Sequence, residues 1–186
     1  MQYELIDEAQ PLQINYEGPT LDAITLGVLQ VQLQEITDKV AYGLLAREDL
    51  FAYQRSSIRP RRLYFLDEDR IVRAPVSQIH SGSLQQELTF AVLSVLADSD
   101  VRSVLLGVAS NIVYAIGTCG VKGVVKQALG RFEFGRPNRP DPFNISANVR
   151  TILRAMAANS NGGKMMLRLS HQRGNEKVEV EIQIEG

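Results

Sequence analysis

Leu29, Leu33, Ile36, Val40 and Leu44 recur at three- and four-residue intervals, the spacing of one helical face. They predict a long helix over residues 21–46. Gly18-Pro19 breaks the chain before it. Thr20 stands where a cap is needed, with Asp22 in the first turn. Ahead of the break, Leu12, Ile14 and Tyr16 alternate with Gln13 and Asn15, the two-residue period of a half-buried strand. Tyr3 to Ile6 reads as another short strand.

The same alternation appears twice at the C-terminal end, in Lys164 to Ser170 and Lys177 to Glu185. A two-residue turn at Gly174-Asn175 joins them as a hairpin. Its register sets Leu169 opposite Val180, Leu167 opposite Ile182 and Met165 opposite Ile184. On the other face Arg168 meets Glu181 and Lys164 meets Glu185. Apolar faces apolar and opposite charges meet, the pairing that stabilises neighbouring strands. A slip of one residue would break both agreements.

Between these ends the pattern is less regular. Arg47 to Pro60 reads as an irregular connection or a short helical turn. Arg61 to Leu66 and Ile71 to Val76 read as strands of a hairpin around the acidic turn Asp67-Glu68-Asp69, and Pro75 places the second at an edge or a break. Gln78 to Phe90 reads as one strand, with Gly82 marking a bulge or a close approach and Leu84, Leu88 and Phe90 toward a core.

Leu88 to Phe132 is the most apolar part of the chain, and Ser103 to Val121 carries no charged side chain. The run predicts one helix from about Val101, capped by Asp98 or Asp100. Ser103, Gly107, Ser110 and Gly117 fall near one face of it, small enough for close backbone approach. Its first reading is a central buried helix that packs inside the fold or between copies. Its length also approaches that of a membrane span, with Lys122, Lys126 and Arg131 as a basic flank. The run GRPNRPDPF is a stiff linker. A shorter helix follows, capped by Asn144 or Ser146, with Ile145, Val149, Ile152, Leu153 and Met156 inward.

Together these elements predict an α+β fold. A mainly antiparallel sheet is packed by the long N-terminal helix, the central apolar helix and the shorter C-terminal helix, and ends in a β-hairpin. The 186 residues suit a single domain. It divides into a strand-rich part (1–90), a central apolar helical segment (91–134), a linker (135–143), and a helix plus hairpin (144–186).

Composition supports a packed core, with 45% hydrophobic and 22% charged residues. A net charge of -1 argues against nucleic acid as a partner. The charge is uneven: Glu4, Asp7, Glu8, Glu17 and Asp22 make the beginning acidic, while Arg55, Arg59, Arg61 and Arg62 mark a basic surface. Cys119 is the only cysteine, so no disulfide forms within the chain, which fits a reducing compartment. The acidic N-terminus lacks a targeting pattern. The expected location is cytoplasmic, with membrane association on activation as the alternative.

The chain carries little that points to catalysis. His80 and His171 have no metal-ligand spacing around them, and His171 sits where a surface residue is ordinary. His80-Ser81-Gly82-Ser83 is not a nucleophile elbow. The carboxylate pairs Asp67/Asp69, Asp98/Asp100 and Glu179/Glu181 read as a turn, a cap and a strand face. Neither a metal nor a cofactor is expected. Gly117, Gly120 and Gly123, followed by Lys126, would cradle a phosphate only if Asn111 to Ile116 were a strand opening onto a helix.

Ile79-His80-Ser81-Gly82-Ser83-Leu84, then Glu87-Leu88, then a helix with Gly107, Ser110-Asn111 and Tyr114, resembles small uncharacterised proteins found in bacterial defence and toxin loci. The resemblance spans about a third of the chain and assigns no functional residue. It implies an effector or accessory role. The expectation is a non-enzymatic module that self-associates or binds a protein partner. The alternatives are a membrane-acting effector exposing helix 101–121 and a nucleotide- or ligand-binding domain using residues 117–126.

Overall fold

The computed structural model describes residues 3–6, 11–18, 20–47, 72–74, 76–80, 84–93, 99–118, 123–127, 130–133, 143–160 and 164–185. In chain order the elements begin with β1 (Tyr3–Leu5), β2 (Leu12–Glu17), α1 (Ala23–Arg47), β3 (Val72–Arg73), β4 (Val76–His80), β5 (Leu84–Leu88) and β6 (Ala91–Leu93). They continue with α2 (Ser99–Leu105), α3 (Val108–Thr118), β7 (Gly123–Gln127), β8 (Gly130–Glu133), α4 (Ser146–Ser160), β9 (Lys164–Arg173) and β10 (Glu176–Glu185). The fold is α+β. Seven antiparallel strands run in the order β4-β5-β2-β9-β10-β7-β8, and a smaller sheet runs β1-β6-β3.

The C-terminal hairpin has the register that its side-chain alternation predicts: Leu169 pairs with Val180, Leu167 with Ile182, Met165 with Ile184 and Arg168 with Glu181. Gly174 takes φ 59° in the turn, a conformation glycine adopts without steric cost. Met165, Leu167, Leu169, Val180 and Ile182 are buried, and α3 and α4 lie against these two strands.

Helix α1 packs against both α3 and α4. Leu29, Leu33, Ile36, Val40 and Leu45 form its buried line, with Leu44 half-buried beside them. The cap is Asp22 rather than Thr20: the Asp22 carboxylate accepts the Thr25 N–H at 2.6 Å. The helix begins at Ala23, so the residue directly before it is the one that reaches the free amides of the first turn. Thr20 contributes a carbonyl instead, accepting from Asn159 Nδ2 at 3.1 Å.

Polar side chains of α1 fix its position over the strands. Gln30 donates to the buried Gln86 of β5. Gln34 donates to the Val72 carbonyl at 2.9 Å and accepts from the Ala74 N–H at 2.9 Å. One carboxamide thus satisfies both backbone groups at the edge of β3, much as a neighbouring strand would.

Several expectations change. Gln78 to Phe90 is not one strand: β4 and β5 are antiparallel neighbours with His80 opposite Gln85. The irregularity in pairing falls between Val76 and Gln78. β3 and β4 belong to different sheets, and Pro75 between them lies outside the described residues. The segment 91–134 is not wholly helical: β6 lies near its start, and β7 and β8 near its end. The β-branched pair Val124-Val125 suits the strand that extends β10, with Val125 opposite Val180.

The central helix is two helices. Leu106 N still donates to Arg102 O at 3.0 Å, but Gly107 N donates to the nearer Val104 O at 3.2 Å, which tightens the turn. A new helix then opens on the Gly107 carbonyl. Asn111 N, Asn111 Nδ2 and Ser110 Oγ all donate to it, at 3.0, 2.8 and 3.0 Å. The strand at Arg61 to Leu66, the turn at Asp67 to Asp69, the bulge at Gly82, Cys119 and residues 135–142 of the linker lie outside the described residues.

The shorter C-terminal helix matches its expected face. Ile145, Val149, Ile152 and Met156 are buried, with Leu153 packed beside them. Phe143, just before this helix, lies against Gly43 of α1, and the Arg47 guanidinium sits 4.9 Å from the centre of its ring.

Candidate functional site

Helices α2 and α3 place one narrow line of residues outward. Ser103 and Tyr114 are exposed, and Gly107, Ser110 and Asn111 between them are half-buried. The opposite side of α3 is sealed: Val108, Ala109, Ile112, Val113, Ala115 and Ile116 are at most 2% exposed. Tyr114, at 49%, is therefore a large aromatic group facing out of a helix whose other large side chains face in.

Three of the four expected self-association residues, Ser103, Gly107 and Ser110, share this outward line. Gly117 does not; it is buried where the end of α3 approaches β7. A Cβ at Gly107 would touch only its own turns, Asn111 Nδ2 at 3.4 Å and the Val104 carbonyl at 3.5 Å, among the described residues. Asn111 and Tyr114 join the line although the spacing of small residues alone does not select them.

The line is neutral from Ser103 to Tyr114. Arg102, beside it, pairs with Glu4 of β1. Glu4, Glu17 and Asp22 of the acidic beginning are all engaged within the chain, by Arg102, Arg168 and the Thr25 amide. The Thr25 hydrogen bond holds the Asp22 carboxyl below its ordinary pKa.

On the sheet face away from α3 and α4, Arg168 bridges three strands. Its guanidinium lies 3.0 Å from Glu181 and 3.3 Å from Glu179 on β10, and 3.5 Å from Glu17 on β2. Lys177 adds a contact to Glu179 at 2.7 Å. The hydrogen bond to Glu181 raises the Arg168 pKa further, so the group stays charged. Cation and carboxylates are matched to each other, which makes this a clamp across strands rather than a pair of acids with contrasting environments.

A second polar network joins α1 to α4. Lys39 Nζ donates to Asn148 Oδ1 at 2.8 Å and to the Asn144 carbonyl at 2.9 Å. Asn148 Nδ2 donates to Gln32 at 2.9 Å and also to Glu35. The side chain of Asn148 is buried and its amide and carbonyl are both used, the condition under which a buried polar group fixes packing.

The remaining candidates do not converge. Asn111 to Ile116 is helix, so the strand-to-helix turn required of a phosphate cradle is reversed. Gly117 closes a helix, Gly123 and Lys126 lie in β7, and Gly120 is outside the described residues. Arg55, Arg59, Arg61 and Arg62 are also outside them. Among the described residues no three His, Cys, Asp or Glu side chains are grouped to hold a metal. His171 is buried, not at the surface: it continues the inward face of Leu167 and Leu169 and pairs with Val178. The two-residue period carries that face two positions beyond Leu169.

Ser99–Gly117 is, among the described residues, the one stretch long and apolar enough by length and composition to cross a membrane, and 50% of it is buried inside the fold. Comparison with protein-family models, curated proteins and solved structures finds no match.

Proposed function

We propose that this chain is a non-enzymatic module that self-associates through the outward line of α2 and α3. The observation that carries the reading is Tyr114, 49% exposed at one end of a neutral line of small side chains. Gly107 and Tyr114 stand at equal sequence distances on either side of the Ser110–Asn111 peptide. In an antiparallel pair related by a two-fold axis at that peptide, each Tyr114 lies over the Gly107 of its partner. A two-fold contact must be self-complementary, and an aromatic group opposite a glycine meets that condition. Small residues between them permit close helix approach. An effector or accessory role in bacterial defence would use such a contact to assemble copies.

A Ser110→Cys variant tests the arrangement. Near the axis, the two introduced thiols form an intermolecular disulfide under mild oxidation, giving a covalent dimer that reverts on reduction. A chain that stays monomeric under oxidation at high concentration would count against this geometry.

The composition of Ser99–Gly117 supports a second reading, a membrane-acting effector. That reading requires α3 to leave the fold. Val108, Ile112, Val113 and Ile116 would then be uncovered, each worth about 1.5–3 kcal/mol of burial. The loss rivals the roughly 5–15 kcal/mol that holds a typical domain together. Lipid would have to replace that burial, and flotation with anionic vesicles measures whether it does. Protein that remains with the unbound fraction at every concentration removes this reading.

A further inference from the structure

We draw no further inference here: the strongest candidate, the apolar stripe of Ile24, Gly27, Val28 and Val31 along the first half of α1, is an exposed to half-buried helix face, and nothing among the described residues shows what covers it.

Discussion

Asn148 on α4 and Lys39 on α1 meet through a hydrogen bond of 2.8 Å, and the same carboxamide donates back to Gln32 and Glu35 on α1. One buried side chain therefore sets how the two helices sit against each other. Asn148→Ala leaves Lys39 one partner fewer and removes the donor shared by Gln32 and Glu35. The expected loss is about 1–3 kcal/mol, from part-buried hydrogen bonds of which those to Lys39 and Glu35 involve a charged group. Urea denaturation measures it; an unchanged midpoint would show that the network does not fix the packing.

Two glycines of α1 respond in opposite directions to alanine. At Gly27 an added Cβ meets nothing within 4 Å among the described residues, so Gly27→Ala gains helix propensity, about 0.5–1 kcal/mol. At Gly43 the same Cβ would lie 2.6 Å from Phe143 Cδ1, in a ring packed under Arg47. Gly43→Ala displaces that ring and destabilises by roughly 1–3 kcal/mol. Thermal melts of the two variants side by side check the contrast. A Gly43→Ala melt at or above that of Gly27→Ala contradicts the packing described.

The Tyr16 hydroxyl is buried and has no hydrogen-bond partner among the described residues, and burial pushes its pKa above the ordinary value of 10.0. Tyr16→Phe removes a desolvated hydroxyl and keeps the ring. Stability should stay the same or rise by up to about 1 kcal/mol. A clear loss in the denaturation midpoint would reveal a partner for the hydroxyl.

The depressed pKa of Asp22 carries a pH dependence. The folded state binds the Asp22 proton more weakly than the unfolded chain does, so the cap stabilises above the ordinary pKa of 3.8. That contribution disappears as pH falls through the lower folded value. Asp22→Ala should therefore lower the melting temperature at pH 7, and the difference from the unaltered chain should shrink toward pH 3. A difference that stays constant down to pH 3 contradicts the capping role.

Much of this architecture is legible wherever the determinants are local. Register in the hairpin follows from alternation at Met165, Leu167 and Leu169 against Val180, Ile182 and Ile184. The same alternation extended by one step buries His171, a consequence easily overlooked when a histidine is judged by its nearness to a turn. The line on α4 follows from spacing alone. The break at Gly107 is less legible, because a glycine in an apolar run is compatible with a continuous helix. What divides it is the local bonding of Gly107, Ser110 and Asn111, in which side chains use the carbonyl that opens the second helix. Strand order is least legible: β2 between β5 and β9 and β7 beside β10 are pairings between distant segments, with no local signature. Of the proposed surface, the small residues Ser103, Gly107 and Ser110 are marked by their spacing, while the outward direction of Tyr114 and the burial of Gly117 depend on what α3 packs against.

Light scattering over a range of concentrations, with Tyr114→Arg beside the unaltered chain, bears most directly on self-association. The unaltered chain should rise from monomer toward dimer mass as concentration increases. Tyr114→Arg should remain monomeric over the same range with an unchanged melt, because its side chain is half exposed and the substitution buries a charge over the partner's Gly107, on a neutral line that offers no countercharge. A strict monomer at every concentration, or a Tyr114→Arg chain that associates as readily as the original, would contradict the account.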